Sequence, residues 1–186
     1  QAPEMVQLAA VQAVGDLELR SAADSLVAAV ANEKAAGTVR ASALSALDEF
    51  GASEQIDKAI AAAEKSSPPE LRTAALQILA RRSPERALPV IRKLANEGTE
   101  LEQQAAFLAL SQLDSPETPQ LLILGLDRLA AGKIHPGAQV ELLDAVEKST
   151  HPQVQARWEK VKAQWEASGD ALAPFRGALV GGNEWR

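Results

Sequence analysis

The sequence predicts an all-α protein, a right-handed α-solenoid of about five antiparallel helical hairpins. Three observations carry this. One pattern recurs, apolar–polar–x–x–small–apolar–x–x–apolar, beginning at Val6, Val39, Leu71, Glu102 and Ala138, with spacings of 33, 32, 31 and 36 residues. A period in this range is one helical hairpin per repeat. Roughly a fifth of the residues are Ala, Tyr is absent and only 3% are aromatic. Alanine is the strongest helix former, whereas strands draw on aromatic and β-branched residues. Finally, each copy of the pattern is followed by a breaking or capping group and then a second amphipathic segment. A lone hairpin cannot bury both of its apolar stripes, so each copy needs the next.

The first hairpin joins a helix carrying Val6, Ala10, Val11 and Val14 to a second over roughly Arg20–Lys34, with Leu26, Val27 and Val30 inward and Gly15-Asp16 between them. The second joins Val39, Ala43, Leu44 and Leu47 to a helix over Glu54–Lys65 that turns Ile56, Ala59, Ile60 and Ala63 inward. In the third, Ser67 caps a helix that has Pro68 in its first turn and Glu70 in capping-box position. Leu71, Ala75, Leu76 and Leu79 share a face of that helix, and Arg81-Arg82 suit the negative end of its dipole. Ser83-Pro84 then opens a partner helix carrying Leu88, Val90, Ile91 and Leu94, which Gly98 closes.

The fourth hairpin has drifted. Its pattern reads Glu102, Gln103, Ala106, Phe107 and Leu110, and Leu101 is expected to take the apolar place that Glu102 leaves open. Its partner helix, over Glu117–Ala131, carries Leu121, Leu122, Leu124 and Leu126. Pro89 and Pro119, in two of the second helices, each remove a backbone donor and predict bends. After a linker from Gly132 to Gly137, Ala138, Gln139, Leu142, Leu143 and Val146 begin the fifth hairpin. The last helix, over Pro152–Ala167, bears Val154, Trp158, Val161 and Trp165 in one stripe. Helical period stops at Ser168. The expected organisation is a repeat array over 1–168 and an extended tail or linker over 169–186 that packs partly on the last hairpin through Leu172, Phe175, Leu179 or Val180.

Charge and composition restrict function. The net charge of −6 argues against nucleic acid, which needs a basic face. No apolar run approaches the ~20 residues that span a bilayer, so direct membrane insertion is not expected. With no Cys, thiolate metal sites and Cys nucleophiles are excluded from this segment. The chain starts at Gln1 and ends at Trp185-Arg186, and is read as a segment of a longer protein.

His135 and His151 are the only histidines, each followed by proline at a turn, and two histidines alone offer too few ligands for a metal. No Gly-x-Ser-x-Gly or phosphate-loop motif occurs, and no acid–base pair stands out among the carboxylates. The segment is therefore expected to be non-catalytic, with no cofactor of its own. The candidate interaction residues are Arg40, Arg72, Trp158, Trp165 and Phe175. Arg40 and Arg72 hold equivalent places, with Gln7, Gln103 and Gln139 in the other copies. They form either a polar ladder for an acidic partner or a hydrogen-bond ladder between repeats. Asp16, Asp48 and Asp114 could accept those bonds or cap the second helices. The Arg81-Arg82…Arg86…Arg92-Lys93 cluster reads as a solvated face, with Glu85 and Glu97 interleaved. Trp158 and Trp165 either anchor another domain or cover the last hairpin.

Val39-Arg40-Ala41-Ser42-Ala43-Leu44 and Leu71-Arg72-Thr73-Ala74-Ala75-Leu76 resemble the first helices of short HEAT-like repeats, and Ala87 to Leu94 resembles their partner helix. The resemblance covers about residues 3–167. Tetratricopeptide and ankyrin signatures are missing. The hydroxylase members of the HEAT-like class use paired His-Glu ligands, and here Pro136 and Pro152 follow the histidines. In the tail, Phe175 to Arg186, with Gly181-Gly182-Asn183 and Arg186, resembles the lead-in to the cytochrome c domain of large bacterial secreted or membrane-associated dehydrogenases. That resemblance implies a spacer and docking module between a catalytic domain and a c-type cytochrome. It also implies haem c downstream, partners within the same polypeptide, and a periplasmic or cell-envelope location. The alternative is a stand-alone HEAT-like adaptor that binds a peptide or protein.

Overall fold

A computed structural model describes residues 2–51, 53–64 and 68–167. All regular structure among them is helical. Ten α-helices follow in order: α1 (Glu4–Asp16), α2 (Ala23–Ala31), α3 (Gly37–Glu49), α4 (Ser53–Glu64), α5 (Pro69–Arg82), α6 (Pro84–Glu97), α7 (Glu100–Gln112), α8 (Thr118–Ala130), α9 (Gln139–Lys148) and α10 (Pro152–Ala167). Short 3-10 turns, Arg20–Ala22 and Pro136–Ala138, lead into α2 and α9. The chain divides into two compact units, Gln1–Arg82 and Ser83–Arg186. The expected tail or linker over 169–186, Phe175 within it, and the Ser67 cap lie outside the described residues.

In the first unit the first helices pack in series, α1 on α3 and α3 on α5, while α2 packs on α3 and α4. Its core joins Leu26 and Val30 of α2 to Leu44 and Leu47 of α3, Ile56 and Ile60 of α4, and Leu71 and Leu76 of α5. In the second unit α6 packs on α7, α7 on α9, and α8 on both α9 and α10. Phe107, Leu122, Leu142 and Val154 are central there. Each unit thus holds two helical hairpins and one further helix on the α-solenoid plan, the expected α5–α6 hairpin being divided between them. The inward residues predicted for α4 and α5 are all buried, and in α5 Ala74 and Ile78 are buried beside them.

Several expectations fail locally, each for a physical reason. Leu101 is 41% exposed, and Glu102 occupies the buried register position instead. It does so because Thr99 and Glu102 form a capping box. The Thr99 backbone N–H donates to Glu102 Oε2 at 2.8 Å and the Thr99 hydroxyl does so at 2.9 Å. Leu124 is exposed because Gly125 is the residue packed inward. Val90 is only half-buried, and Ala87 takes its place in the core. Pro119 stands in the first turn of α8, where no intrahelical donor is lost, and Pro89 lies inside α6 without ending it. Ser83 stands at the N-cap of α6 but makes no side-chain cap bond. The helix expected over Arg20–Lys34 is shorter, since its start is the 3-10 turn and it ends at Ala31.

Gly125 has no room for a side chain. A Cβ there would stand 2.7 Å from Leu142 Cδ1 and 3.4 Å from Phe107 Cε1, both in the core. Gly125→Val is expected to cost about 1–3 kcal/mol by overpacking, despite better helix propensity than glycine. A melting curve unchanged by this substitution would contradict the α8–α9 packing.

Candidate interaction surface

Helix C-termini leave carbonyls without intrahelical donors. In this chain, side chains from neighbouring helices supply those donors. Arg40, near the start of α3, is 3% exposed, and its Nε donates to Val30 O in the last turn of α2 at 2.8 Å. Gln103, the same register position in α7, donates from Nε2 to Ala95 O of α6 at 3.3 Å and accepts the His135 backbone N–H at Oε1. Arg128 of α8 donates to Asn96 O at 2.6 Å. Gln155 of α10 donates to Val146 O and Ser149 O at 3.0 and 2.6 Å. A positive guanidinium also complements the negative end of a helix dipole.

Two of the five equivalent positions, Arg40 and Gln103, are therefore used from within. Arg40 is not an open docking residue, because its guanidinium caps α2. Arg72 is half-buried and has its own interaction. Gln139 is buried with Oε1 unpartnered. Gln7 is different: its Nε2 bonds only its own segment, at Ala2 O, in the exposed part of α1. Sequence reasoning found the ladder positions Arg40 and Gln103 and missed Arg128 and Gln155. Counting the orphan carbonyls at each helix end was the signal that could have found them.

Ion pairs add a second set of ties. Asp48 at the end of α3 accepts Arg81 Nη2 at 2.7 Å and Arg82 Nη1 at 3.2 Å, from the end of α5. Arg92 of α6 pairs with Glu117 just before α8, and Asp127 of α8 with Arg157 of α10. The basic cluster read as a solvated face is thus partly tied to acidic neighbours. Most of these pairs are half-exposed, so each contributes little by itself. The hydrogen bond and charge of Lys58 hold the Glu54 carboxyl below its ordinary range and raise the Lys58 ammonium; the pair is solvent-exposed on one turn of α4 and marks no site.

An open groove of about 500 Å³ lies in the second unit where the α7–α8 and α9–α10 turns meet. Asp114, Ser115, Thr118, Lys148, Thr150 and His151 supply its polar lining. His151 Nδ1 is shielded from solvent there without a partner, while His135 is exposed. Among the described residues no group of three or more His, Cys, Asp or Glu side chains comes together as a metal site, and no helix is long and apolar enough to cross a membrane.

Trp158 is buried in the last hairpin and Trp165 half-buried. Their rings meet edge to face, 5.4 Å between centroids, and Lys162 Nζ stands 5.5 Å above the Trp158 ring. The pair covers the last hairpin first, and only Trp165 retains substantial solvent contact.

Stacked hairpins, with side chains of one repeat capping helices of another, define an α-solenoid scaffold. Residues 56–131 match the family model described as HEAT repeats, so that part of the chain is similar to HEAT repeats. No curated protein and no solved structure matches the chain.

Proposed function

We propose that this chain is a non-catalytic spacer and docking module of a larger oxidoreductase that carries a c-type cytochrome. The scaffold part rests on one observation: polar side chains at the repeat register, Arg40 and Gln103, are spent on holding helices together. Cross-helix ties of this kind resist bending, which suits a part that fixes a distance between neighbours. The oxidoreductase part rests on the resemblance of Phe175 to Arg186 to the lead-in of a cytochrome c domain. In this reading haem c belongs to the downstream domain, the partners are domains of the same polypeptide, and the location is the periplasm or cell envelope. The coding sequence past Arg186 tests it. A Cys-x-x-Cys-His motif within the following domain is expected, and a stop codon directly after Arg186 would overturn it. The second reading, a stand-alone adaptor for a peptide or protein, is favoured by the groove of about 500 Å³ at the hairpin turns. Under that reading, charge reversal at Asp114 or Lys148 weakens partner binding.

A further inference from the structure

The side chain of Gln139 holds an open acceptor inside the second unit, and α7 shows what an acceptor in that place is for. On α7, Gln103 Oε1 accepts the His135 backbone N–H at 2.9 Å, and Gln104 Nε2 donates to Gly137 O at 2.9 Å. These two neighbouring side chains hold the entry turn of the next repeat, and Ile134 beside that turn is buried. On α9 the same two register positions, 36 residues on, are Gln139 and Val140. Gln139 is 7% exposed, and its Oε1 is shielded from solvent with no donor among the described residues. Val140 is 61% exposed. A shielded acceptor left unmatched is costly, and native proteins rarely keep one.

The chain itself supplies a matching segment. Leu172-Ala173-Pro174 repeats the apolar–x–proline order of Ile134-His135-Pro136, 38 residues on. The linkers match in length: His135 stands five residues past the end of α8 at Ala130, and Ala173 six past the end of α10 at Ala167. α8 and α10 are the second helices of successive hairpins and pack on one another, so the two linkers set out from equivalent places. We propose that residues 172–175 lie across α9 as 134–137 lie across α7, with the Ala173 backbone N–H donating to Gln139 Oε1. Leu172 then takes the part of Ile134. Where Gln104 holds Gly137 by a hydrogen bond, Val140 meets Phe175, so an apolar contact replaces a polar one on both sides. Sequence alone brings this tail to the last hairpin; the open acceptor on α9 assigns its register. The docking is the same for a spacer and for an adaptor, and stands apart from either reading.

Amide hydrogen exchange of the 186-residue chain, read residue by residue by NMR, tests this. The Ala173 amide is expected to exchange roughly tenfold or more slowly than in a free peptide of the same tail sequence. Gln139→Leu keeps the volume and removes the acceptor, and should bring Ala173 to the free-peptide rate while α9 stays protected. Val140→Asp alters a position already open to solvent, in the first turn of α9 where an acid suits the helix dipole, and should release the segment in the same way. The chain has no cysteine, so disulfide trapping reads position. Phe175→Cys should cross-link within the chain to Val140→Cys, and much more slowly to Ala163→Cys on the exposed side of α10. Free-peptide exchange at Ala173 in the wild-type chain overturns the proposal. So does protection that survives either substitution, or equal cross-linking at the two cysteines, which is the behaviour of a loose tether.

Discussion

Leu76→Ala is expected to destabilise the protein by about 2–5 kcal/mol, the range for removing a fully enclosed leucine. Leu76 has no exposed surface, and it lies on α5 among side chains of the first unit's core. Two terms add. The lost side chain forfeits its transfer free energy, and the cavity it leaves is lined by helices already tied through Asp48 to Arg81 and Arg82. In a stack of repeats the substitution also weakens the interfaces with α3 and α4, on which α5 packs. Against a typical stability of about 5–15 kcal/mol, a loss of this size moves the urea midpoint by a large fraction of its value. A titration showing a loss below about 0.5 kcal/mol would place Leu76 on the surface and break the repeat register.

That register was legible because burial follows period. Ile56, Ala59, Ile60 and Ala63 lie on one side of a 3.6-residue helix whatever surrounds it, and the hairpin stack then encloses that side. Where the reading failed, a local interaction outranked the period. Thr99 and Glu102 carry the capping-box spacing openly, but the pattern was aligned on hydrophobicity, which promoted Leu101. A glycine carries no apolar signal, so Gly125 was passed over in favour of Leu124. The exposure of Val6 is illegible for another reason. Val6 and Val39 have the same local sequence character, and whether each is buried depends on the presence of a neighbour. Arg40 poses the same problem, since a recurring polar position does not say whether it faces a partner or an adjacent helix. The carbonyl of Val30 decides it.

That decision makes a second strong prediction. Arg40→Ala is expected to cost about 2–4 kcal/mol, combining a lost charge-assisted hydrogen bond with a cavity along the side-chain stem. One effect opposes this: removing a buried guanidinium lifts its desolvation penalty. It does not win, because the Val30 carbonyl stays buried and loses its donor, at the negative end of α2 where a cation is favoured. Arg40→Gln separates the contributions. Gln103 reaches a last-turn carbonyl of the preceding helix, that of Ala95, from the same register position, so an amide can do this task. The glutamine variant should recover about 1 kcal/mol or more relative to alanine by restoring the hydrogen bond, without the charge. Hydrogen exchange in the last turn of α2 provides the local readout. Protection there should fall with Arg40→Ala and return in part with Arg40→Gln. A docking arginine behaves otherwise: its loss leaves stability within about 0.5 kcal/mol and changes only the affinity for a partner. If Arg40→Ala gives that result, with α2 protection unaltered, the ladder is an exposed recognition surface and the stiff-spacer mechanism loses the tie on which it rests.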